Sequence, residues 1–384
     1  MVEWAQPARG EVSGFKLHIG WNSGSYGIVI DVGLPSPVGG RYSHSLTLSD
    51  ETTVYVALSA YNAAGSSPLS NEGELAPPPP LPPPGDGGTP EVEGTETLPG
   101  FEKKWQVIGT MDLSGDGQME LVWRAGSTSE HQFWIMDGAT VLAGVPFEVP
   151  SKKQEFVGSG DVDGDGTDDF VWWDAKQKRV SIWLQWASSV GALELDQSAL
   201  EEKWKPVAIG DIDGDGHADL IWYDKKGKVF HAWRLDGEGL LGVVAFDPPG
   251  AKWKLVGVGD FDGSGTADLL WQDKKVGFHV WLQNGAQTLE EGLLGPPDKG
   301  WKLAGIGDLD GDGRDDLLWD HKQQSYYVWV MDGDRVREEA FLTEIEKDWT
   351  FAGLGDFDGD GIQDVLFQHK KDQSARIAFI GLAP

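Results

Sequence analysis

The stretch Asp161-Val162-Asp163-Gly164-Asp165-Gly166-Thr167-Asp168-Asp169-Phe170-Val171-Trp172 decides the fold, because it recurs. Its first aspartate has counterparts at Asp112, Asp211, Asp260, Asp308 and Asp356, at successive intervals of 49, 50, 49, 48 and 48 residues through the six copies. Four of the six copies follow a G-x-G segment, and every copy runs into an apolar segment ending in an aromatic residue. Self-similarity at a fixed period is the mark of a repeat architecture.

Within each copy the acidic loop carries the only evident chemistry. Position 1 is the aspartate just named. Position 3 holds Ser114, Asp163, Asp213, Asp262, Asp310 and Asp358. Position 5 holds Asp116, Asp165, Asp215, Ser264, Asp312 and Asp360. Position 9 holds Glu120, Asp169, Asp219, Asp268, Asp316 and Asp364. Glycines fill positions 4 and 6, where a sharp turn needs a backbone that takes positive φ at little cost. Alternate residues of a tight loop point inward, so carboxylates converge and repel one another unless a cation joins them. A hard divalent ion taking about six to eight oxygens fits, and Ca2+ is the usual occupant. Position 7 then offers only its backbone carbonyl, which agrees with its variation: Gln118, Thr167, His217, Thr266, Arg314 and Ile362. Up to six Ca2+ ions are expected, bound more weakly in repeats one and four, where Ser114 and Ser264 replace a carboxylate. One D-G-D-G run alone would read equally well as a polar turn. Six at matched positions favour metal loops.

These repeats resemble the FG-GAP/VCBS family, whose calcium loops lie in β-propeller blades. The resemblance covers residues 90–384 and implies one four-stranded blade per repeat. The strands are also legible directly. Strand one precedes each loop and strand two follows it. Strand three carries Trp134, Trp183, Trp233, Trp281 or Trp329, and often ends in a hairpin signal such as Asp137-Gly138 or Asp332-Gly333. Six blades are expected, although the family more often closes with seven. The sixth repeat stops after its third strand. Residues 91–98 stand where a fourth strand stands in every other unit, so they are expected to pair with 376–380 and remove an open edge.

Fifteen of the 19 tryptophans fall on three repeat positions. Packing between blades explains such stripes, because each indole buries a large apolar area. The alternative is sugar stacking, as in propeller lectins, with Trp173 and Trp186 outside the pattern as candidate contact residues. The formal charge is −31. Of the 31 lysines and arginines, 23 lie in turns between strands two and three or in connectors between blades. Both kinds of turn emerge on one face of an up-and-down blade, so a basic-rich face opposite a calcium face is expected.

Residues 1–75 resemble a fibronectin type III module lacking its first strand. Val2-Glu3-Trp4, Gly14–Ile19, Val54–Asn62 and Ser70–Glu72 match its later strands. Residues 76–89 form a Pro/Gly-rich linker, with polyproline as a semi-rigid spacer. The fold class expected is therefore all-β, a small sandwich followed by a six-bladed propeller.

With no cysteine, calcium rather than disulfides must brace the loops. No membrane span or signal peptide is legible, and the acidity argues against nucleic acid. The histidines are scattered and no nucleophile–base pairing stands out, so the expectation is a protein that is not an enzyme. The reading is an extracellular or cell-surface calcium-binding adhesion or structural protein. Its partners are other copies of itself, forming a fibre by head-to-tail contact, or a cell-surface protein or glycan. The alternative is a lectin-like propeller.

Overall fold

A computed structural model of the chain describes residues 2–5, 12–20, 28–33, 41–44, 54–62, 65–70, 73–75, 87–101, 105–126, 128, 130–149, 153–184, 192–196, 204–226, 228–284, 287–295, 300–321 and 325–383. The chain divides into two compact units, Met1–Pro83 and Pro84–Pro384. In the first unit Val2–Ala5 pairs with Arg41–His44. A second sheet runs Ile28–Gly33, Gly14–Gly20, Val54–Asn62, with Gly65–Ser66 and Gly73–Leu75 both pairing the long strand. Of the expected last strand at 70–72, Ser70 donates its amide to the Leu58 carbonyl at 2.7 Å, and 71–72 lie outside the described residues, as does most of the linker.

The second unit is a six-bladed propeller of four-stranded antiparallel blades. Blade one is Trp105–Met111, Glu120–Ala125, Glu130–Asp137 and Thr140–Glu148. Blade two is Gln154–Gly160, Asp169–Asp174, Arg179–Trp183 and Ala192–Asp196. Blade three is Trp204–Gly210, Asp219–Asp224, Val229–Leu235 and Leu240–Phe246. Blade four is Lys254–Gly259, Asp268–Asp273, Gly277–Asn284 and Gln287–Leu294. Blade five is Trp301–Gly307, Asp316–His321, Ser325–Asp332 and Arg335–Glu344. Blade six is Trp349–Gly355, Asp364–His369, Ala375–Leu382 and, from the other end of the chain, Pro90–Thr97.

The first strands form the inner ring, each beside the next, with Trp349–Gly355 beside Trp105–Met111. The G-x-G segment explains their closeness. A Cβ on Gly305 would meet Leu354 at 2.8 Å, and one on Gly353 would meet Thr110 at 3.2 Å. The residue between the glycines of one blade therefore packs over the glycines of the blade before it. In every blade the pairing of strands one and two slips at this point, a bulge that bends the inner strand.

Tryptophans fill the space between blades. Trp123, Trp172, Trp222, Trp271 and Trp319 on strand two are at most 1% exposed, and Phe367 takes the same place in blade six. Trp173, expected as an exposed contact residue, is buried edge-on against Trp222 at 5.3 Å, because its strand faces the next blade. Trp186 lies outside the described residues.

Candidate metal centres

Each acidic loop is built by its first aspartate. Asp161 accepts the amide of Gly164 on one oxygen at 2.7 Å and that of Gly166 on the other at 2.9 Å. Both glycines have positive φ, 72° and 84°. Asp112, Asp211, Asp260, Asp308 and Asp356 likewise take the position-6 amide, at 2.7 to 2.9 Å. Glycine at position 4 also leaves room for the neighbouring blade. A Cβ on Gly164 would strike the His217 ring, whose Nδ1 lies 3.1 Å from the Val162 carbonyl oxygen.

Position 9 closes the loop from beneath. Asp219 accepts the Ile212 amide on one oxygen and the strand-three Leu235 amide on the other, at 3.1 and 2.9 Å. Asp268, Asp316 and Asp364 repeat this with Gln283, Met331 and Ile380. Burial pushes these carboxyls up, to about 7 for Glu120, Asp219 and Asp268, about 8 for Asp364 and about 9 for Asp316. A buried carboxyl raised this far calls for a proton or a cation.

The structure brings positions 1, 3 and 9 together in loops two to five: Asp161, Asp163 and Asp169; Asp211, Asp213 and Asp219; Asp260, Asp262 and Asp268; Asp308, Asp310 and Asp316. In loop six the converging set is Asp356, Asp358 and Asp360. One oxygen from each residue of a set lies within 4.8 Å of the others. Asp116, Asp165, Asp215 and Asp312 at position 5 stand outside these sets, each receiving the position-7 amide at 2.9 to 3.0 Å. Ser264 at that position accepts the Thr266 amide at 3.3 Å and also contacts the Thr266 hydroxyl at 2.5 Å. Among the described residues loop one yields no such set, since Ser114 replaces its third carboxylate. The donors fit a divalent ion. In loop three, Asp213 Oδ1 is buried without a hydrogen-bond partner, an oxygen that a cation would satisfy.

The loops are joined into a ring. The position-8 amide of each blade donates to the position-1 carbonyl of the blade before, at 2.5 to 2.8 Å, and Met119 to Asp356 closes the circle. On the same face the Asp-Gly hairpins reach across: Gly333 donates to the Phe261 carbonyl at 2.9 Å. On the opposite face, Lys370 donates to the Lys347 carbonyl, joining a strand two–three turn to a blade connector as expected.

Position 8 also places two half-buried carboxylates in blades two and five. Asp168 accepts the Asp112 amide at 3.1 Å and Asp315 the Asp260 amide at 2.8 Å. Desolvation raises them to about 6 and about 7. An acid raised in the folded state holds a proton that the unfolded chain has released. It therefore costs stability as pH climbs from about 4 to 7. Asp315→Asn keeps the acceptor for the Asp260 amide, and Ala218 and Ala267 show that this position tolerates an uncharged residue. We expect the variant to be more stable than wild type at pH 8, by a gain on the order of 2–4 kcal/mol, and equal to it at pH 4. Urea titrations at both values in saturating calcium measure this; an equal difference at the two would refute it.

The sequence reading missed the arginines in this site. Arg337 Nη1 lies 2.9 Å from Asp312 and its Nη2 contacts Asp310. Arg234 lies 3.0 Å from Asp213. A signal for the first existed. Strand pairing aligns Arg337 with Leu142, Leu241 and Leu289, so an apolar position has become cationic.

A family model, the FG-GAP-like repeat, matches residues 161–222, 211–271 and 260–319. Each match runs from one acidic loop to the second strand of the next blade. No curated protein sequence matches the chain. Similar solved structures include a candidate gluconolactonase, at 15% identity and TM-score 0.45 over 76% of this chain and 94% of that one. Another is regucalcin, a calcium-binding protein of Agrobacterium tumefaciens, at 10% identity and TM-score 0.46 over 74% and 94%. The expectation that the chain is not an enzyme is corrected by the first of these, for a propeller of similar course is described by an enzyme's name, and scattered histidines do not exclude catalysis. Likeness at this level assigns no activity to this chain.

Proposed function

We propose that the chain is a calcium-braced propeller acting outside the cell as an adhesion or structural module, through contacts with copies of itself or with a cell-surface partner. The observation that carries the calcium part is the convergence of three carboxylates in five of the six loops. A millimolar external calcium supply suits sites built from so few charged donors. Association is supported by the outer strands. Leu241 and Val243 in blade three, Leu289 and Leu293 in blade four and Phe341 in blade five are exposed, Leu293 by 61% and Phe341 by 56%. Apolar side chains on fourth strands, each an outer edge, favour contact with another chain. Among the described residues no helix is long and apolar enough to cross a membrane. The fibronectin type III reading of residues 1–75, with the linker at 76–89, belongs to this proposal as a second contact-making module.

Sugar stacking between blades fits less well, because the strand-two tryptophans are sealed. The half-buried Trp204 and Trp301 lie against His231 and His321, with ring centroids 4.0 and 4.9 Å apart. Light scattering across protein concentration, with calcium at 0.1 and 1 M salt, tests association. Growth of particle mass that survives high salt, and is lost in Leu293→Lys with Phe341→Lys, is expected, since screening weakens charge contacts and not apolar ones. A strict monomer at every concentration removes self-association and leaves a cell-surface partner, which a glycan array then tests.

A further inference from the structure

Loops two, three, five and six carry the same four acidic positions, so counting charges ranks them equally. Loop five differs in what surrounds it. The Asp310 and Asp312 side chains are fully buried, and the Arg337 guanidinium from the fourth strand spans both of them. Arg314 adds a second guanidinium, 3.3 Å from Asp312 and 3.7 Å from Asp332 of the hairpin. A guanidinium cannot lose its proton within a protein, so its charge is permanent. Two parallel N–H contacts to carboxylates also fix its orientation. The chain leading into the closing strand covers this pair. A Cβ on Gly87 would collide with the Asp310 carboxyl group and the Arg337 guanidinium, and the Thr89 hydroxyl donates to Glu338 at 2.7 Å. Loop three shows the contrast. Arg234 touches Asp213 through one nitrogen, is 39% exposed, and leaves Asp213 Oδ1 without a partner. That arginine can swing into solvent when an ion arrives, whereas Arg337 is held on both sides.

We propose that blade five carries its own cation: Arg337 occupies the loop-five carboxylates, and a divalent ion binds there only by displacing it. Loop five then takes calcium at least tenfold more weakly than loops two and six, although it ranks among the four-carboxylate loops. The inference rests on the calcium reading of the other loops, and the experiment separates the two.

Bound calcium per full-length chain is counted by equilibrium dialysis over free metal from micromolar to millimolar, and compared at the lowest concentration that fills loops two and six, in the wild type and four variants. Arg337→Gln is expected to gain one ion. Arg335→Gln, which removes an exposed arginine paired with Asp332 outside the loop, is expected to change nothing. Two further substitutions cover the case in which Arg337→Gln fails to fold. Asp310→Asn should cost no ion, because none sits there, whereas Asp163→Asn in loop two should cost one. An ion lost in Asp310→Asn, or a count unchanged in folded Arg337→Gln, overturns the arginine proposal and leaves the calcium reading intact. No ion bound by any form overturns both.

Discussion

A chain lacking residues 90–98 is expected to lose its cooperative unfolding transition and to aggregate. Pro90–Thr97 pairs with Ala375–Leu382 along seven register positions, from Arg376 opposite Thr97 to Leu382 opposite Pro90. The amides of Leu98 and Ala383 extend the pairing at its two ends, to the carbonyls of Ala375 and Thr89. Leu98 is 2% exposed and packs in the core shared by blades one and six, and Val92 packs against the core shared by blades five and six. Backbone bonds contribute about 0.5–1.5 kcal/mol each, and one buried leucine about 1.5–3 kcal/mol. The sum is comparable to the whole stability of an ordinary domain, about 5–15 kcal/mol. Removal also exposes the edge of Ala375–Leu382, an apolar strand that would then pair with other chains. Calorimetry and light scattering on the deletion form measure both effects, and a synthetic peptide of residues 87–98 added in trans should restore the transition. A deletion form that melts like the full chain would show that the inner ring of first strands closes without this strand.

Why the ends of the chain could be matched from sequence, while the arginine in blade five could not, follows from where each signal lies. A repeat that stops after Ile380 and a strand-like segment that precedes the first repeat are both visible in linear order, and period alone joins them. The loops were legible for the same reason: glycines at positions 4 and 6 are demanded by local backbone geometry. What position 9 does was not legible. Its second oxygen is filled by amides of strand three, such as Leu235 and Met331, some fifteen residues onward, and nothing local says which amide arrives. The grouping of positions 1, 3 and 9 in loops two to five was not legible either, and the clamp alone does not set it, since Asp364 is clamped alike while Asp356, Asp358 and Asp360 converge in loop six. Trp173 was misjudged because a residue outside a repeat stripe need not lie outside the core. Its neighbour Trp172 faces one adjoining blade, so Trp173 faces the other.

Stripping calcium from the protein is expected to lower its melting temperature by about 10–20 °C. Each loop that binds in the folded state alone adds about 2.7 kcal/mol at a hundredfold excess of ion over Kd. Three or four loops give on the order of 10 kcal/mol, and 1 kcal/mol moves the midpoint of a domain of 150–250 residues by about 2–4 °C, less for a larger one. The loss has a structural cause. Without an ion, Asp161, Asp163 and Asp169 place like charges within 4.8 Å, and burial together with Asp165 and Asp161 raises the Asp163 carboxyl. That acid is held above its unfolded value, so the metal-free loop gains stability as pH falls toward 4 and loses it as pH rises. Calcium reverses the preference, because it binds only the ionised form. Asp163→Asn separates a metal loop from an ordinary polar turn by the sign of its effect. In excess chelator at pH 8 the substitution relieves repulsion and should raise the midpoint slightly. In millimolar calcium it removes a charged donor and should lower the midpoint by several degrees. Differential scanning calorimetry of both forms under both conditions gives the four midpoints. If the two differences share a sign, or the wild type melts alike with and without chelator, the loops are turns that hold no ion.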